Sequence, residues 1–165
     1  LDSMHVPHGI EISRALALRA DAKVKPRGGR IVHDAALSGM GRFSSDYFSG
    51  ILLSAFLEHE IAPKPLLTEV YRTLSPNGRC IIKVPNFASL NRVVRGKKWC
   101  GFRLPEHVNY FTPASLVQMC RQTGFAISKF SIADHLPTSD NMWIVIQRRD
   151  TAFHAAFGDN AVLPS

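Results

Sequence analysis

The 165-residue sequence contains no long hydrophobic run, no cysteine framework and no internal repeat. Its best apolar stretch covers residues 51–57, well short of the roughly 20 residues that span a bilayer, so no transmembrane segment is predicted. Residues 1–7 have neither a basic start nor an apolar stretch, so no secretory signal is predicted either. The cysteines Cys80, Cys100 and Cys120 are odd in number and widely spaced. This spacing excludes a disulfide framework and a zinc pattern, and it favours a reducing, cytoplasmic compartment.

Acidic residues are missing from one long segment, because none occurs between Val70 and Pro105. The basic residues of that segment are Arg72, Arg79, Lys83, Arg92, Arg95, Lys97, Lys98 and Arg103. Much of the net charge of +7 is therefore local. The densest part, Arg92, Arg95, Lys97 and Lys98, is a candidate contact for an anionic membrane surface, a nucleic acid or an acidic substrate. A solvated basic loop is the alternative interpretation.

Hydrophobic residues make up 45% of the sequence, which is enough for a buried core. Runs rich in β-formers alternate with runs of helical periodicity, which predicts an α/β sheet of mostly parallel strands with helices on both faces. Strands are predicted at residues 6–12, 30–33, 46–53, 80–84, 125–132 and 142–147, and helices at 14–22, 65–75 and 114–123. The strand at 46–53 is almost continuously apolar, which is typical of a strand covered on both faces. Thr112-Pro113 and Gly124 predict the start and the end of the last helix.

Six short motifs occur in an order that resembles one family. They are Gly9-Ile10-Glu11-Ile12-Ser13, Ser54-Ala55-Phe56-Leu57-Glu58-His59-Glu60, Leu74-Ser75-Pro76-Asn77-Gly78, Ile82-Lys83-Val84-Pro85-Asn86, the segment 99–110 and Gly124-Phe125. Together they resemble the Rossmann-like S-adenosylmethionine-dependent methyltransferases of the ubiquinone/menaquinone-biosynthesis type, over residues 6–148. The resemblance implies a doubly wound, mostly parallel sheet with an antiparallel last strand. It also implies S-adenosylmethionine as the cofactor and a small molecule as the methyl acceptor.

The sequence departs from this family at one point, because the first strand and its glycine-rich loop have no counterpart. We therefore expect residues 1–150 to be a partial methyltransferase domain that starts at the second strand, followed by a tail at 151–165. The missing strand is central in the family's sheet, so two inner strand edges would be left without a partner. Methyl transfer would be impaired in such a chain. The alternatives are a catalytically inactive remnant and a basic module in which Trp99 and Phe102 stack on nucleic acid or the cations contact a membrane surface.

Candidate cofactor contacts lie where predicted strands end, since ligands of doubly wound sheets bind beyond the carboxyl ends of the strands. Glu11 is placed to accept hydrogen bonds from ribose hydroxyls, and a carboxylate at a helix N-terminus is the alternative. The resemblance puts Asp34 and Ala35 near the adenine, with a simple loop cap as the alternative. It puts Ser54 and Ala55 beside the methionine portion, with plain core packing as the alternative.

Candidate catalytic residues are His59 and His107, since histidine can accept a proton near neutral pH. His59 can instead hold a loop by hydrogen bonding, and the loop that carries His107 can instead be a lid whose Trp99 and Tyr110 merely pack down. The candidate acceptor-binding residues are Trp99, Arg103, Asn109 and Tyr110, and the loop at 137–141 is a candidate to complete that pocket. No metal site is predicted, because Glu58, His59 and Glu60 are adjacent in sequence and are not expected to converge on one ion.

Overall fold

A computed structural model describes residues 4–131 and 140–149, which form parts of two compact units, Leu1–Ser45 and Asp46–Ser165. The strands are β1 His8–Glu11, β2 Arg30–His33, β3 Phe48–Ser54, β4 Leu74–Pro85, β5 Phe125–Ser131 and β6 Asn141–Arg148. The helices are α1 Arg14–Val24, α2 Ala36–Met40, α3 Pro63–Thr73, α4 Leu90–Arg95 and α5 Pro113–Gln122. Short 3-10 turns occupy Lys25–Arg27 and Gly96–Lys98.

The first unit contains a two-stranded parallel sheet, in which β1 pairs with β2 from His8↔Arg30 to Glu11↔His33. Its buried apolar side chains are Ala17, Val32, Met40 and Phe43. The turn before β2 passes very close to the chain before β1, because a Cβ on Gly29 would lie 1.9 Å from the carbonyl oxygen of Pro7. Glycine is therefore required at position 29, where any side chain would force the two segments apart.

The second unit contains a four-stranded mixed sheet of order β3-β4-β6-β5. β3 and β4 are parallel, whereas β6 is antiparallel to both of its neighbours. Alternate residues of the two central strands are buried, since side chains of a strand point to opposite faces. These residues are Cys80, Ile82 and Val84 on β4 and Met142, Ile144 and Ile146 on β6. This alternation builds the core of the unit.

Two amphipathic helices also contribute buried side chains to that core. α3 buries Leu66, Leu67 and Val70, and α5 buries Leu116, Met119 and Cys120, in each case at helical spacing. Thr112 caps α5, because its side chain accepts from the Ser115 N–H at 3.2 Å while the Ser115 hydroxyl accepts from the Thr112 N–H at 2.9 Å. This reciprocal pair satisfies two N–H groups that a helix start otherwise leaves without a partner.

One arginine joins the beginning of the second unit to its last described strand. Arg148 on β6 pairs with Asp46, donates to the Leu74 carbonyl oxygen at 3.0 Å and lies 4.6 Å from the ring centre of Tyr71. The two charged partners are 102 residues apart in sequence. Arg148 thus makes a long-range tertiary contact at the end of the sheet where β3 and β4 begin and β6 ends.

The predicted α/β fold and its antiparallel last strand are confirmed, and three local expectations are corrected. β3 is not covered on both faces: Leu52 is 63% exposed, and within the described residues β3 pairs with β4 alone. β4 begins at Leu74, before the predicted turn, and its register against β3 shifts between Phe48 and Gly50. The helices α2 and α4 were not predicted, because each spans too few residues to show a helical period.

No helix in the described residues is both long enough and apolar enough to cross a membrane. The tail predicted at 151–165 lies outside the described residues. The single partial domain expected at 1–150 stays a prediction.

Candidate functional site

In the first unit, two carboxylates lie at the carboxyl edge of the parallel pair. Glu11 ends β1 and Asp34 directly follows β2, and the Asp34 N–H donates to the Glu11 carbonyl oxygen at 3.3 Å. The Glu11 Oε1 also accepts from the Ser13 N–H at 2.7 Å, just before α1. The structure thus brings Glu11, Asp34 and Ala35 together at the edge where ligands of such sheets bind.

The carboxylate of Asp34 is held by groups of its own unit. It accepts from the Ser38 hydroxyl at 2.5 Å, from the Ala35 N–H at 2.9 Å and from the Arg42 Nε at 2.9 Å. The Ser38 hydrogen bond, followed by that of Arg42, holds the pKa of Asp34 below its usual value, so the group is a carboxylate at neutral pH. These bonds favour the loop-cap interpretation of Asp34 over a contact with adenine.

In the second unit, Ser54 and Ala55 lie at the carboxyl end of β3. Ser54 is in register with Lys83 of β4, and the Ala55 N–H donates to the Lys83 carbonyl oxygen at 3.0 Å. Ala55 has a φ of +50°, which is uncommon for a residue with a side chain. Backbone of this kind persists only where its surroundings fix it, and it occurs often at binding sites.

The turn that follows β3 is joined to the segment at 106–109 by backbone hydrogen bonds. The Glu58 carbonyl oxygen accepts from the N–H groups of Val108 at 2.9 Å and Asn109 at 3.0 Å. The Asn109 side chain donates to the Glu60 carbonyl oxygen at 2.7 Å. Asn109, predicted as an acceptor contact, therefore holds two chain segments together.

This junction places both predicted catalytic histidines beside each other. The rings of His59 and His107 meet edge to face with 4.6 Å between their centres. His59 is exposed and its Nδ1 lies 2.8 Å from the Glu106 carbonyl oxygen. His107 is only 6% exposed, and its Nδ1 lies 2.8 Å from the Gly101 carbonyl oxygen.

A third side chain joins these histidines. Glu58 is 2% exposed, and its Oε2 is buried without a hydrogen-bond partner among the described residues. One carboxylate oxygen of Glu58 and one ring nitrogen of each histidine all lie within 4.8 Å of one another. We call Glu58, His59 and His107 the Glu–His cluster. The sequence reasoning rejected Glu58 as a metal ligand, because it compared only neighbours in the chain and could not place His107 against them.

Two further predicted acceptor residues, Trp99 and Tyr110, form an aromatic cluster with Phe87 and Phe102. Neighbouring ring centres in this cluster are 5.4 to 6.1 Å apart. Trp99 is 2% exposed, so its side chain packs the cluster and offers almost no surface to a ligand. Phe87, which the sequence reasoning did not single out, contacts each of the other three rings.

The predicted residue Arg103 is exposed, and its carbonyl oxygen accepts from the His107 N–H at 2.7 Å. Of the loop predicted at 137–141, residues 137–139 lie outside the described residues. Asp140 accepts from the Ser89 hydroxyl at 2.9 Å and from the Cys100 thiol at 3.3 Å. Although burial opposes its ionisation, the hydrogen bonds from Ser89 and Cys100 hold the pKa of Asp140 below its usual value.

The fold belongs to the Rossmann-like α/β class, as solved structures show. A methyltransferase described as dependent on S-adenosylmethionine, from Archaeoglobus fulgidus, aligns with a TM-score of 0.65 at 16% identity, covering 86% of this chain and 75% of its own. One from Methanosarcina mazei aligns with a TM-score of 0.65 at 19% identity, covering 86% and 81%. The 1,6-didemethyltoxoflavin-N1-methyltransferase of Burkholderia thailandensis, solved with S-adenosylhomocysteine, aligns with a TM-score of 0.63 at 16% identity, covering 88% and 62%.

The family follows from the sequence match. The model of the family described as "Methyltransferase domain" matches residues 3–129. The chain therefore belongs to the methyltransferase-domain family, which confirms the resemblance to methyltransferases, while the ubiquinone/menaquinone-biosynthesis type stays a prediction. A search of curated proteins found no significant match.

Proposed function

We propose that this protein transfers a methyl group from S-adenosylmethionine to a small-molecule acceptor. Family membership supports the reaction class, and relatives of the same fold are described as dependent on this cofactor. The observation that carries the proposal is the position of the candidate contacts within each unit: Glu11 ends the parallel strand β1, and Ala55, with its positive φ, directly follows the parallel strand β3. When bound, the cofactor supplies an activated methyl group, and the protein chiefly aligns the reactants.

The residues fit such a cofactor unequally. Glu11 fits a ribose contact because it is half-buried at the end of β1. It also lies next to Asp34, where the loop after β2 begins. Asp34 fits less well, because its oxygens already accept from Ala35, Ser38 and Arg42. Ser54 and Ala55 fit a close approach of ligand to backbone, as the positive φ of Ala55 turns the chain sharply there.

On the acceptor side, His59 is the proton acceptor that we propose. A carbonyl oxygen can only accept, so the His59 Nδ1 carries the proton that it donates to Glu106. The neutral ring then presents Nε2 as an acceptor at an exposed position. His107 is buried, and its ring donates a hydrogen bond to the Gly101 carbonyl oxygen while its N–H donates to that of Arg103. These bonds fix the segment that also carries Tyr110, a member of the aromatic cluster.

Cofactor binding by this chain is expected to be weak, because the 165 residues contain no glycine-rich loop of the family's type. Calorimetry with S-adenosylhomocysteine tests this. The chain is compared with a chimera that carries a strand and a glycine-rich loop of that type before residue 1. We expect measurable binding by the chimera alone, and about tenfold weaker binding when Glu11→Gln is introduced into it, which is ~1.4 kcal/mol. Glu60→Gln is the matched control and should change nothing. Equal, tight binding by both chains would overturn this placement of the cofactor contacts.

A second candidate function is contact with an anionic membrane surface. α4 and the turn after it expose apolar and basic side chains together: Leu90, Val93, Val94, Arg95, Lys97 and Lys98. The exposed fractions of Leu90 and Val94 are 72% and 75%, which is unusual for large apolar side chains. Arg92, predicted with this group, instead lies 4.5 Å from the ring centre of Phe87. Apolar insertion next to cations is the chemistry by which short amphipathic segments bind anionic lipid.

Co-sedimentation with vesicles tests this second function. We expect binding to vesicles that contain phosphatidylglycerol, little binding to pure phosphatidylcholine, and a loss with Val94→Ser or with the double change Lys97→Gln and Lys98→Gln. Leu18→Ser, at a residue that is 64% exposed on α1, is the control for a lost surface leucine. Binding to single-stranded nucleic acid with a steep salt dependence, without binding to vesicles, would show that the basic segment contacts nucleic acid and not a membrane.

We also propose a cytoplasmic location, which the free thiols of Cys80, Cys100 and Cys120 support.

A further inference from the structure

We propose that Glu58, His59 and His107 bind a divalent transition-metal ion. The Glu–His cluster offers one carboxylate and two imidazoles within 4.8 Å of one another. Two nitrogens and one oxygen are a ligand set that suits zinc, iron(II) and cobalt(II). The sequence interpretation excluded a metal because it considered Glu58, His59 and Glu60, whereas the fold replaces Glu60 with a histidine almost fifty residues further along the chain.

The orientation of both histidines is the first argument for this site. The Nδ1 atoms of His59 and His107 each lie 2.8 Å from a backbone carbonyl oxygen, those of Glu106 and Gly101. A carbonyl oxygen accepts only, so each Nδ1 carries a proton and each neutral ring is left with a lone pair on Nε2. Metal-binding histidines are held in this way, with the second ring N–H donated to a carbonyl or a carboxylate. The hydrogen bonds thus fix the tautomer that a metal requires.

The second argument is the buried carboxylate. Glu58 is 2% exposed, and its Oε2 has no hydrogen-bond partner among the described residues. A buried carboxylate oxygen without a partner is costly, and a bound cation would satisfy it. The backbone around Glu58 is well anchored, because its carbonyl oxygen accepts from both Val108 and Asn109. The side chain is therefore held beside the histidines by the hydrogen bonds that join the two segments.

The spacing requires only small adjustments. Ligand atoms held at roughly 2.0–2.1 Å from a tetrahedral zinc lie about 3.3 Å from one another, against the 4.8 Å that spans the cluster here. The exposed side chain of His59 can close this difference by rotation, whereas His107 and Glu58 are buried and define the site. Three protein ligands leave a fourth position open, which is the arrangement of catalytic rather than structural zinc sites. On the proposed function, an oxygen or nitrogen atom of the acceptor would occupy that position. Because the metal then engages the Nε2 lone pair of His59, the ion and not His59 would favour the deprotonated form of the acceptor in the metal-bound chain.

Cobalt(II) and zinc titrations of the full chain test metal binding without any methyl transfer. Cobalt gives visible absorption that reports tetrahedral coordination. We expect one cobalt ion per chain, displaced by zinc, and an affinity reduced at least about tenfold in each of the variants Glu58→Gln, His59→Asn and His107→Asn. The asparagine amide can replace the Nδ1–H donor to Glu106 or Gly101 while it removes Nε2. The fold is therefore expected to survive in these variants, as circular dichroism can verify.

Matched controls are Glu60→Gln, one residue beyond the cluster, and His33→Asn, at an exposed histidine of the first unit. Both should bind cobalt as the unaltered chain does. Absence of stoichiometric cobalt binding by the unaltered chain, or binding that Glu58→Gln and His107→Asn leave unchanged, would overturn the proposal. Calorimetry with S-adenosylhomocysteine on the chimera that carries the glycine-rich loop is a separate measurement, so a failure of the proposed cofactor binding is distinguished from a failure of the metal site.

Discussion

The two units of this protein carry different halves of the proposed chemistry on unequal scaffolds. The unit at 1–45 holds the cofactor candidates Glu11 and Asp34 on two four-residue strands, with Ala17, Val32, Met40 and Phe43 as its buried apolar residues. The unit at 46–165 holds the histidines and the aromatic cluster on a four-stranded sheet. Its two central strands alone bury seven apolar side chains, from Leu74 to Ile146. Since apolar burial is the main favourable term in folding, we infer that stability is concentrated in the second unit.

The unpaired strand edges also indicate that the first unit is less stable than the second. Among the described residues, no strand pairs with the edge of β1 away from β2 or with the edge of β3 away from β4. An open edge affects a two-stranded sheet more than a four-stranded one, because isolated two-stranded pairs are marginally stable. The first unit should therefore open locally while the second remains folded.

Core truncation should show the largest contrast between the units. Ile144→Ala removes a fully buried side chain between β4 and β5, and we expect it to lower the free energy of unfolding by about 2–5 kcal/mol. Ile31→Ala, the same change at a half-buried position of β2 in the first unit, should leave the tryptophan-detected free energy of unfolding of the second unit almost unchanged. Urea unfolding followed by tryptophan fluorescence reports the second unit, which contains both Trp99 and Trp143. Equal losses of unfolding free energy in the two variants would contradict the inference that stability is concentrated in the second unit.

A smaller effect should be confined to the first unit. Gly29→Ala would place a Cβ 1.9 Å from the Pro7 carbonyl oxygen, so β1 and β2 must separate at a cost of about 1–3 kcal/mol. We expect faster amide exchange in β1 and β2, with the tryptophan-detected unfolding of the second unit unchanged. Gly50→Ala is the control, because its Cβ would meet only the Arg79 carbonyl oxygen at 3.9 Å. A matching loss of protection in β4 and β6 would show that the units unfold together.

Helix capping should contribute less. Thr112→Ala removes the side-chain acceptor for the Ser115 N–H at the start of α5, and we expect the second unit to lose about 1 kcal/mol. Thr68→Ala is the matched control within α3, where the hydroxyl donates to the Lys64 carbonyl oxygen and satisfies no orphan N–H. The two variants should differ in urea midpoint but not in the slope of the transition. Identical midpoints would mean that the cap of α5 does not limit stability.

The labelling rates of the three cysteines report whether the core of the second unit is closed to solvent. Burial raises the pKa of the Cys80 thiol, and it raises that of Cys120 to about 12, so neither forms a reactive thiolate at pH 8. Cys100 is exposed, although partial burial and the neighbouring Asp140 raise its pKa too. We expect a thiol reagent at pH 8 to label Cys100 slowly and the other two only after unfolding. Asp140→Asn should speed labelling of Cys100, since it removes a charge that opposes the thiolate. Early labelling of Cys80 would contradict a closed core.

Periodicity in the sequence predicted the elements that bury one face. The helices α1, α3 and α5 and the strands β2, β5 and β6 lie within a few residues of their predicted positions, because an apolar repeat reflects burial directly. β3 shows where this reasoning fails. Its apolar run suggested cover on both faces, yet Leu52 is largely exposed, because cover depends on which other elements are present and not on the strand itself.

The candidate site was predicted only in part for a similar reason. His59 and His107 were identified as residue types that carry chemistry, and the structure places them together. Glu58 was rejected as a metal ligand, because chain proximity cannot show that backbone hydrogen bonds to Val108 and Asn109 bring it beside a distant histidine. Trp99 was predicted as a ligand contact, but a large aromatic side chain in a basic loop can equally fill a small core of its own, as it does beside Phe87.

The long-range contact that Arg148 makes has a consequence for how the chain of the second unit could be connected. By pairing with Asp46 and donating to the Leu74 carbonyl oxygen, it holds the first residue of that unit within one side chain's length of its last described strand. Asp46 and Arg148 are therefore close enough for a short linker to join this part of the chain. A chain that begins in the exposed turn at 96–98, runs to Arg149 and continues through such a linker into Asp46 is expected to keep the pairing of β3, β4 and β6.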